Sequence, residues 1–415
     1  MKFILCFLAG LLVPAGPLLA DETATFTSES FLAPLRDEAI RKHPAAKSAQ
    51  LKAGAAARDV SAVRLWDDPM VGLMLMGARV EMRRDDGDIL VSLEQPLPRP
   101  GLFEANRSKA EAMRRAENEN ARTTSLAAGS MAAKDAIELA LADESIRLQD
   151  EQLRWMRAMA ENALQRALNP DQTSVDALRL ESELAREEQI LEAAKRTRDS
   201  IAKRLNLSLG RPLEKPWPVL SLPASPPAVP LAVGEVARIS RVNPRVLAMK
   251  EMASAAKADT RIADRERQPG FSLAVESSMY SGGDLRSAAV GVKVNLPWFN
   301  EPSYQARIDA ARLREKAATT DIDAMVREVA DEVIALANEA ANAAAQARAY
   351  SGDVFDKSQA ATRTLETSWI SSKATLTDLL DSNRLLFSIR LEQRRAIALQ
   401  LVALEDLRVL VPTRN

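Results

Sequence analysis

Four landmarks occur twice in this chain, in the same order and at nearly constant spacing. His43-Pro44 in "RKHPAAKSAQLKAGAAARDV" answers to Asn243-Pro244 in "SRVNPRVLAMKEMASAAKAD". Pro69 answers to Pro269, Pro96 to Pro297, and Asp176 in "TSVDALRLESEL" to Asp378 in "TLTDLLDSNRLL". The offset stays between 200 and 202 residues. An ordered set of landmarks at constant offset is the mark of an internal repeat, and each copy must then fold into the same set of elements. The chain reads as a first repeat over 21–210, a Pro-rich linker over 211–233 and a second repeat over 234–415. The prolines of "RPLEKPWPVLSLPASPPAVP" exclude a continuous helix or a central strand, which leaves an extended connection.

Each repeat opens with a helical pattern, over about 30–66 and 234–267. Strand pairs follow over about 69–96 and 269–297. In "MLMGARVEM", Met74, Met76, Ala78, Val80 and Met82 alternate with Arg79, Glu81 and Arg83. After the "DDGD" turn, Ile89, Val91 and Leu93 are expected to continue that apolar face. In the second repeat Phe271, Leu273 and Val275, then Val290, Val292, Val294 and Leu296, alternate with polar residues that include Lys293 and Asn295. Very long helical patterns come next, over about 102–168 and 302–369. Leu139, Ile146, Leu153 and Ala160 recur there every seven residues, as in a coiled-coil seam. A polar turn and a return helix close each repeat, over about 173–208 and 375–410.

The lengths limit the shape. A helix of about 67 residues spans roughly 100 Å, and two of about 36 residues stacked end to end span roughly as much. No compact domain needs such helices, so the chain is a rod or a tube: mainly α with a small β part. The strands, of about 8 to 12 residues, are near the ~9–11 that cross a bilayer at a tilt. Four strands cannot close a barrel with a lumen, but three chains would supply twelve. The apolar face would then meet lipid, with Trp298 and Phe299 at the interface. A soluble hairpin packed on helices fits the same alternation.

Composition narrows the function. Lys+Arg is 56 against Asp+Glu 57, without the basic excess of a nucleic-acid binder. "MKFILCFLAGLLVPAGPLLA", residues 1–20, reads as a secretory signal peptide. It contains Cys6, the only cysteine, and sits too far upstream for a lipidated one. No catalytic constellation, phosphate loop or Cys/His cluster appears, so neither an enzyme nor a cofactor is expected. The single histidine, His43, reads as a turn residue before Pro44. The Met-rich "MVGLMLM" could hold Cu(I) through thioethers, although lipid-facing packing is the favoured reading. Asp378 and Asp381 point away from Leu376, Leu379, Leu380, Leu386 and Phe387, and an ordinary solvated helix face would look the same.

With this layout, the "HP" and "NP" pairs, the "QPLPRPG" and "LPWF" strand exits and "TDLLDSNRLL", the chain resembles the TolC-type outer-membrane efflux family over nearly its whole length. "QPLPRPG" is also similar to members that serve heavy-metal efflux. The resemblance implies a homotrimer in outer-membrane lipid, with a 12-stranded β-barrel continued by a periplasmic α-helical barrel. It implies a passive duct for small molecules or metal ions, partnered by a periplasmic adaptor and an inner-membrane pump of the resistance-nodulation-division type. It carries Asp378 and Asp381, with Asp176 nearby, into a periplasmic gate. The adaptor contacts would be the tips Asn169, Pro170, Asp171, Gln172, Thr173 and Ser174, and Ser371, Ser372, Lys373, Ala374 and Thr375. Ser372 stands where the family usually has glycine, and Pro170 holds the comparable place in the first tip. The other class of reading is a soluble periplasmic coiled-coil scaffold or adaptor. Such a protein would normally have one helical hairpin flanked by β-domains rather than two equivalent ones.

Overall fold

The computed structural model describes residues 25–77, 87–167, 175–228, 235–280 and 283–411. The expected leader, the first tip at 169–174 and the strand positions Ala78, Arg79, Val80, Glu81, Met82 and Arg83 lie outside the described residues.

Each opening helical pattern is two helices rather than one. The first repeat begins with β1 (Thr25–Phe26), α1 (Glu29–Lys42) and α2 (Pro44–Ala62); the second begins with α5 (Val236–Val242) and α6 (Pro244–Glu266). Proline has no N–H to continue a helical ladder, and it pushes the preceding residue into the extended region. His43 and Asn243 accordingly have ψ of 130° and 136°, and each caps the helix that follows. His43 Nδ1 accepts from the Ala45 N–H at 3.2 Å, and Asn243 Oδ1 accepts from the Arg245 N–H at 2.8 Å.

The strands β2 (Met70–Gly77), β3 (Gly87–Pro96), β5 (Gly270–Tyr280) and β6 (Leu285–Asn295) form one antiparallel sheet in the order β2-β3-β5-β6. Its register corrects the expected faces. Met74 pairs with Leu90, Gly72 with Ser92 and Met70 with Glu94, so the methionines share a face with polar residues. The partners of Ile89, Val91 and Leu93 are Leu75, Leu73 and Val71. That apolar face continues through Val275, Leu273 and Phe271 to Val290, Val292 and Val294. The β2 sequence is apolar on both faces and so has no readable phase. A one-residue shift in phase exchanges the faces. On the polar face, Lys293 reaches across β5 to Glu94 at 2.8 Å and to Glu276 at 3.6 Å. Ala274 and Ser278 on this face are buried, while Leu273 and Val275 on the other are exposed, as expected of a sheet whose polar face is concave.

From the sheet, α3 (Leu102–Ala167) runs unbroken for 66 residues and returns as α4 (Val175–Ser208). Leu139 and Leu153 of the heptad are buried; Ile146 and Ala160 are partly so. The equivalent arm of the second repeat is interrupted. A 3-10 turn, Pro297–Asn300, leads into α7 (Glu301–Ala349), and α8 (Asp353–Ile370) starts after a break at Tyr350, Ser351 and Gly352. The return helix is α9 (Leu376–Leu410). The repeats interleave: α6 and α9 each pack on both α3 and α7, so one set of packed helices is built from both halves. No helix among the described residues is long and apolar enough to cross a membrane.

The linker is extended but held along its described part. β4 (Leu220–Ser221) pairs in parallel with β1. Prolines leave carbonyls without matching donors, and side chains fill that deficit. Arg198 donates to Trp217 O at 3.2 Å, Arg394 to Pro223 O at 3.3 Å and Gln400 to Pro227 O at 2.6 Å. Beneath this strap lies the largest core, built mainly from α1, α3, α4, α9 and β4, with Ala347 of α7. The buried Arg36 donates there to Glu405 at 2.6 Å.

Candidate functional site at the helix tips

At the end far from the sheet, α3, α4, α8 and α9 converge on a small apolar core. Met156 and Met159 come from α3, Leu180 from α4, Trp369 from α8, and Leu376, Leu379 and Leu380 from α9. The start of α9 explains why its aspartates face outward. Thr375 is the N-cap, accepting from the Asp378 N–H at 3.2 Å and donating to its carboxylate at 2.6 Å. This side-chain N-cap satisfies a free N–H of the first turn and fixes the phase of that turn. With the three leucines buried, Asp378 and Asp381 lie on the exposed side.

The pair has a neighbour that the sequence reading did not single out. Arg384, one turn after Asp381, donates to it at 3.4 Å and to Glu183 on α4 at 2.8 Å. Its guanidinium is held still more firmly protonated, first by the Glu183 hydrogen bond. One turn nearer the tip, Arg179 on α4 donates to Thr377 at 2.8 Å. Two arginine cross-links therefore bridge α4 and α9. Glu187, the next step along α4, is pushed up in pKa, chiefly by burial and partly by Glu183. Asp176 is turned elsewhere: half-buried, it accepts from Trp369 Nε1 at 3.4 Å. The described contacts thus join Asp381 to α4 through Arg384 and place Asp176 against Trp369. The i,i+3 spacing of Asp381 and Arg384 was a readable signal for the first of these contacts; the Glu183 contact depends on packing alone.

The second tip turns tightly at Ser371 and Ser372. Ser372 has φ 61°, left-handed, and its N–H bonds to Trp369 O at 2.9 Å. Arg166, in the last turn of α3, donates to Trp369 O at 2.8 Å and to Ser372 Oγ at 3.0 Å. Its guanidinium also sits 4.8 Å from the Trp369 ring centroid. Lys373, Ala374 and Thr375 complete the turn, with Ser371, Ser372, Lys373 and Thr375 exposed. Among the described residues no group of three or more His, Cys, Asp or Glu side chains could hold a metal.

No curated protein sequence matches this chain at a significant level. Residues 238–411 match the family model described as outer membrane efflux protein. Among solved structures, CusC, whose description names transmembrane channel formation, aligns with a TM-score of 0.81 at 16% identity, covering 96% of this chain and 99% of its own. The outer-membrane channel OprN aligns with a TM-score of 0.79 at 17% identity, covering 93% and 90%. The Neisseria gonorrhoeae MtrE outer membrane channel, in its open state, aligns with a TM-score of 0.74 at 19% identity, covering 92% and 88%. Residues 238–411 thus resemble outer membrane efflux proteins, and from end to end the chain has the fold of these outer-membrane channels.

Proposed function

We propose that this chain is the passive outer-membrane duct of a tripartite efflux system. Three copies close one 12-stranded barrel and continue it as a helical tube through the periplasm. The observation that carries the reading is the sheet. Its four strands end in two open edges, β2 and β6, and one face is largely apolar from Val71 to Val294, with Gln95 and Ser277 its polar members in β3 and β5. Open edges and an exposed apolar face are each a liability for a soluble protein. A closed barrel in lipid removes both. The polar face, with the Lys293–Glu94 pair, then lines water.

At the other end the tips meet a periplasmic adaptor, which couples the duct to an inner-membrane pump of the resistance-nodulation-division type. Asp378 and Asp381 then form stacked acidic rings in the trimer. Rings of this sign concentrate cations, and the Arg384 and Arg179 cross-links hold the helices that carry them. Asp176 supports the ring indirectly, through Trp369.

Two measurements test the reading. Heat-modifiable trimers should be recovered in the outer-membrane fraction, whereas recovery as a soluble periplasmic protein would support the scaffold instead. In planar bilayers, Asp378→Ala with Asp381→Ala should weaken cation selectivity and abolish any divalent block from the periplasmic side, without loss of trimers. Unchanged selectivity and block in that double variant would return both residues to an ordinary wet helix face.

A further inference from the structure

The register leaves one feature that the duct reading does not explain. Met70, Met74 and Met76 stand on the polar face of β2, each half exposed, while the leucines and valines between them stand on the apolar face. In a barrel with its apolar face to lipid, this puts a row of thioethers in an aqueous lumen, where packing gives an unbranched apolar side chain little reason to be. We infer that this row is a low-affinity site for soft monovalent d10 cations, Cu+ or Ag+, on the inner wall of the duct.

The chemistry follows from the residue type. A thioether is a soft, neutral donor that selects such ions over Mg2+ or Ca2+, which take oxygen. Neighbours on one face of a strand are about 7 Å apart, so the flexible side chains of Met74 and Met76 can close on one ion between them. Met70 lies about 13 Å further down the strand and makes a second step. The gap at Gly72 belongs to the arrangement. A Cβ there would come within 2.5 Å of Ser92 Oγ, so the hydroxyl occupies the interval between Met70 and Met74. Two or three neutral donors per ion bind weakly, and weak sites in series suit conduction, because an ion must leave as readily as it enters. Three copies of the chain would supply three rows.

The inference rests on the barrel reading, and its test keeps the two apart. Trimers in detergent, carrying 13C-labelled methionine methyls, would be titrated with Ag+ in chloride-free buffer. The resonances of Met70, Met74 and Met76 should shift together, ahead of Met113 and Met131, which are as exposed but lie apart on α3. Replacing all three by leucine, close in volume, should leave trimer yield intact and weaken Ag+ binding at least tenfold. Shifts of equal size at Met113 and Met131, or Ag+ affinity unchanged in the leucine variant, would overturn the site while leaving the barrel standing. Failure of the parent chain to form trimers would overturn both.

Discussion

In the first repeat one helix of 66 residues, α3, runs from the sheet to the tip. The second repeat covers the same course with α7 and α8, of 49 and 18 residues, joined through Tyr350, Ser351 and Gly352. Along these arms the offset between the repeats grows only from 201, at Pro96 and Pro297, to 202, at Asp176 and Asp378, so the second arm is one residue longer. One extra residue in a continuous helix would rotate everything beyond it by about 100°. The break at Tyr350, Ser351 and Gly352 lets α8 set its own phase.

The tips differ in chemistry as well. At an offset of 202, Trp369 corresponds to Ala167 and Asp381 to Arg179. The second repeat thus supplies the large buried ring and the second carboxylate, and the first supplies the arginine that crosses to Thr377. A duplication that has exchanged charges at equivalent positions can bridge its own two halves, which identical copies could not do.

The sharpest way to break this comparison is at Trp369, which is 1% exposed. Trp369→Ala should cost about 3–5 kcal/mol, read as hydrogen-exchange protection lost across α8 and the start of α9. The equivalent Ala167→Gly should cost only about 1 kcal/mol. Equal losses at the two positions would mean that the tips are energetically alike.

At the sheet the repeats should behave alike. Leu73→Arg in the first and Val292→Arg in the second both place a charge on the apolar face, at about 2–4 kcal/mol each near a bilayer midplane. Both should depress outer-membrane trimer yield. Met74→Gln and Lys293→Ala, on the polar face, should be tolerated. Tolerance of Leu73→Arg together with loss in Met74→Gln would reverse the register assigned to β2.

The roots of the two repeats differ in their ion pairs. Glu38 at α1 is held by Arg211 and Lys42, and the Arg211 hydrogen bond above all lowers its pKa from 4.5 to about 2. The equivalent position, at an offset of 200, is Arg238, paired with Glu235 at the surface. A carboxylate with a depressed folded-state pKa adds stability that is complete above the unfolded value and is lost as pH falls through the folded one. Glu38 should thus contribute no more than about 2 kcal/mol, after allowance for solvent screening. That contribution should be full above about pH 4.5 and fade toward pH 2. Glu38→Gln should flatten the acid limb of the denaturation profile, and Arg238→Gln should leave it unchanged.

These contrasts also show what a sequence can carry. The rod and the hairpins are legible because their signals are periodic: period two in β5 and β6, and long unbroken helical phase in α3. The breaks were legible in principle, since His43-Pro44, Asn243-Pro244 and "YSGD" each contain a residue that interrupts a helix. The pattern of apolar positions runs through all three and hides them. The face of β2 was not legible, because Val71, Leu73 and Leu75 are as apolar as Met70, Met74 and Met76, and only pairing with β3 decides between them. At the tips, the outward aspect of Asp378 and Asp381 follows from helical spacing. Contacts between helices, such as Arg384 with Glu183 and Asp176 with Trp369, have no local signature.

The smallest expected effect concerns Ser372. A left-handed backbone costs a side-chain-bearing residue roughly 1–2 kcal/mol relative to the ordinary helical region, and glycine escapes that cost at the expense of greater freedom in the unfolded chain. Ser372 has φ 61° and returns one exposed hydrogen bond, from Arg166. An exposed bond of this kind offsets little. Ser372→Gly should therefore raise stability slightly, by about 0.5 kcal/mol, as seen in chemical denaturation of the protein. Arg166 would keep its bond to Trp369 O and its place over the ring, so the shape of the tip should persist. A marked loss of stability in Ser372→Gly would show instead that the hydroxyl, and not the Trp369 carbonyl and ring, is what fixes α3 to the second tip.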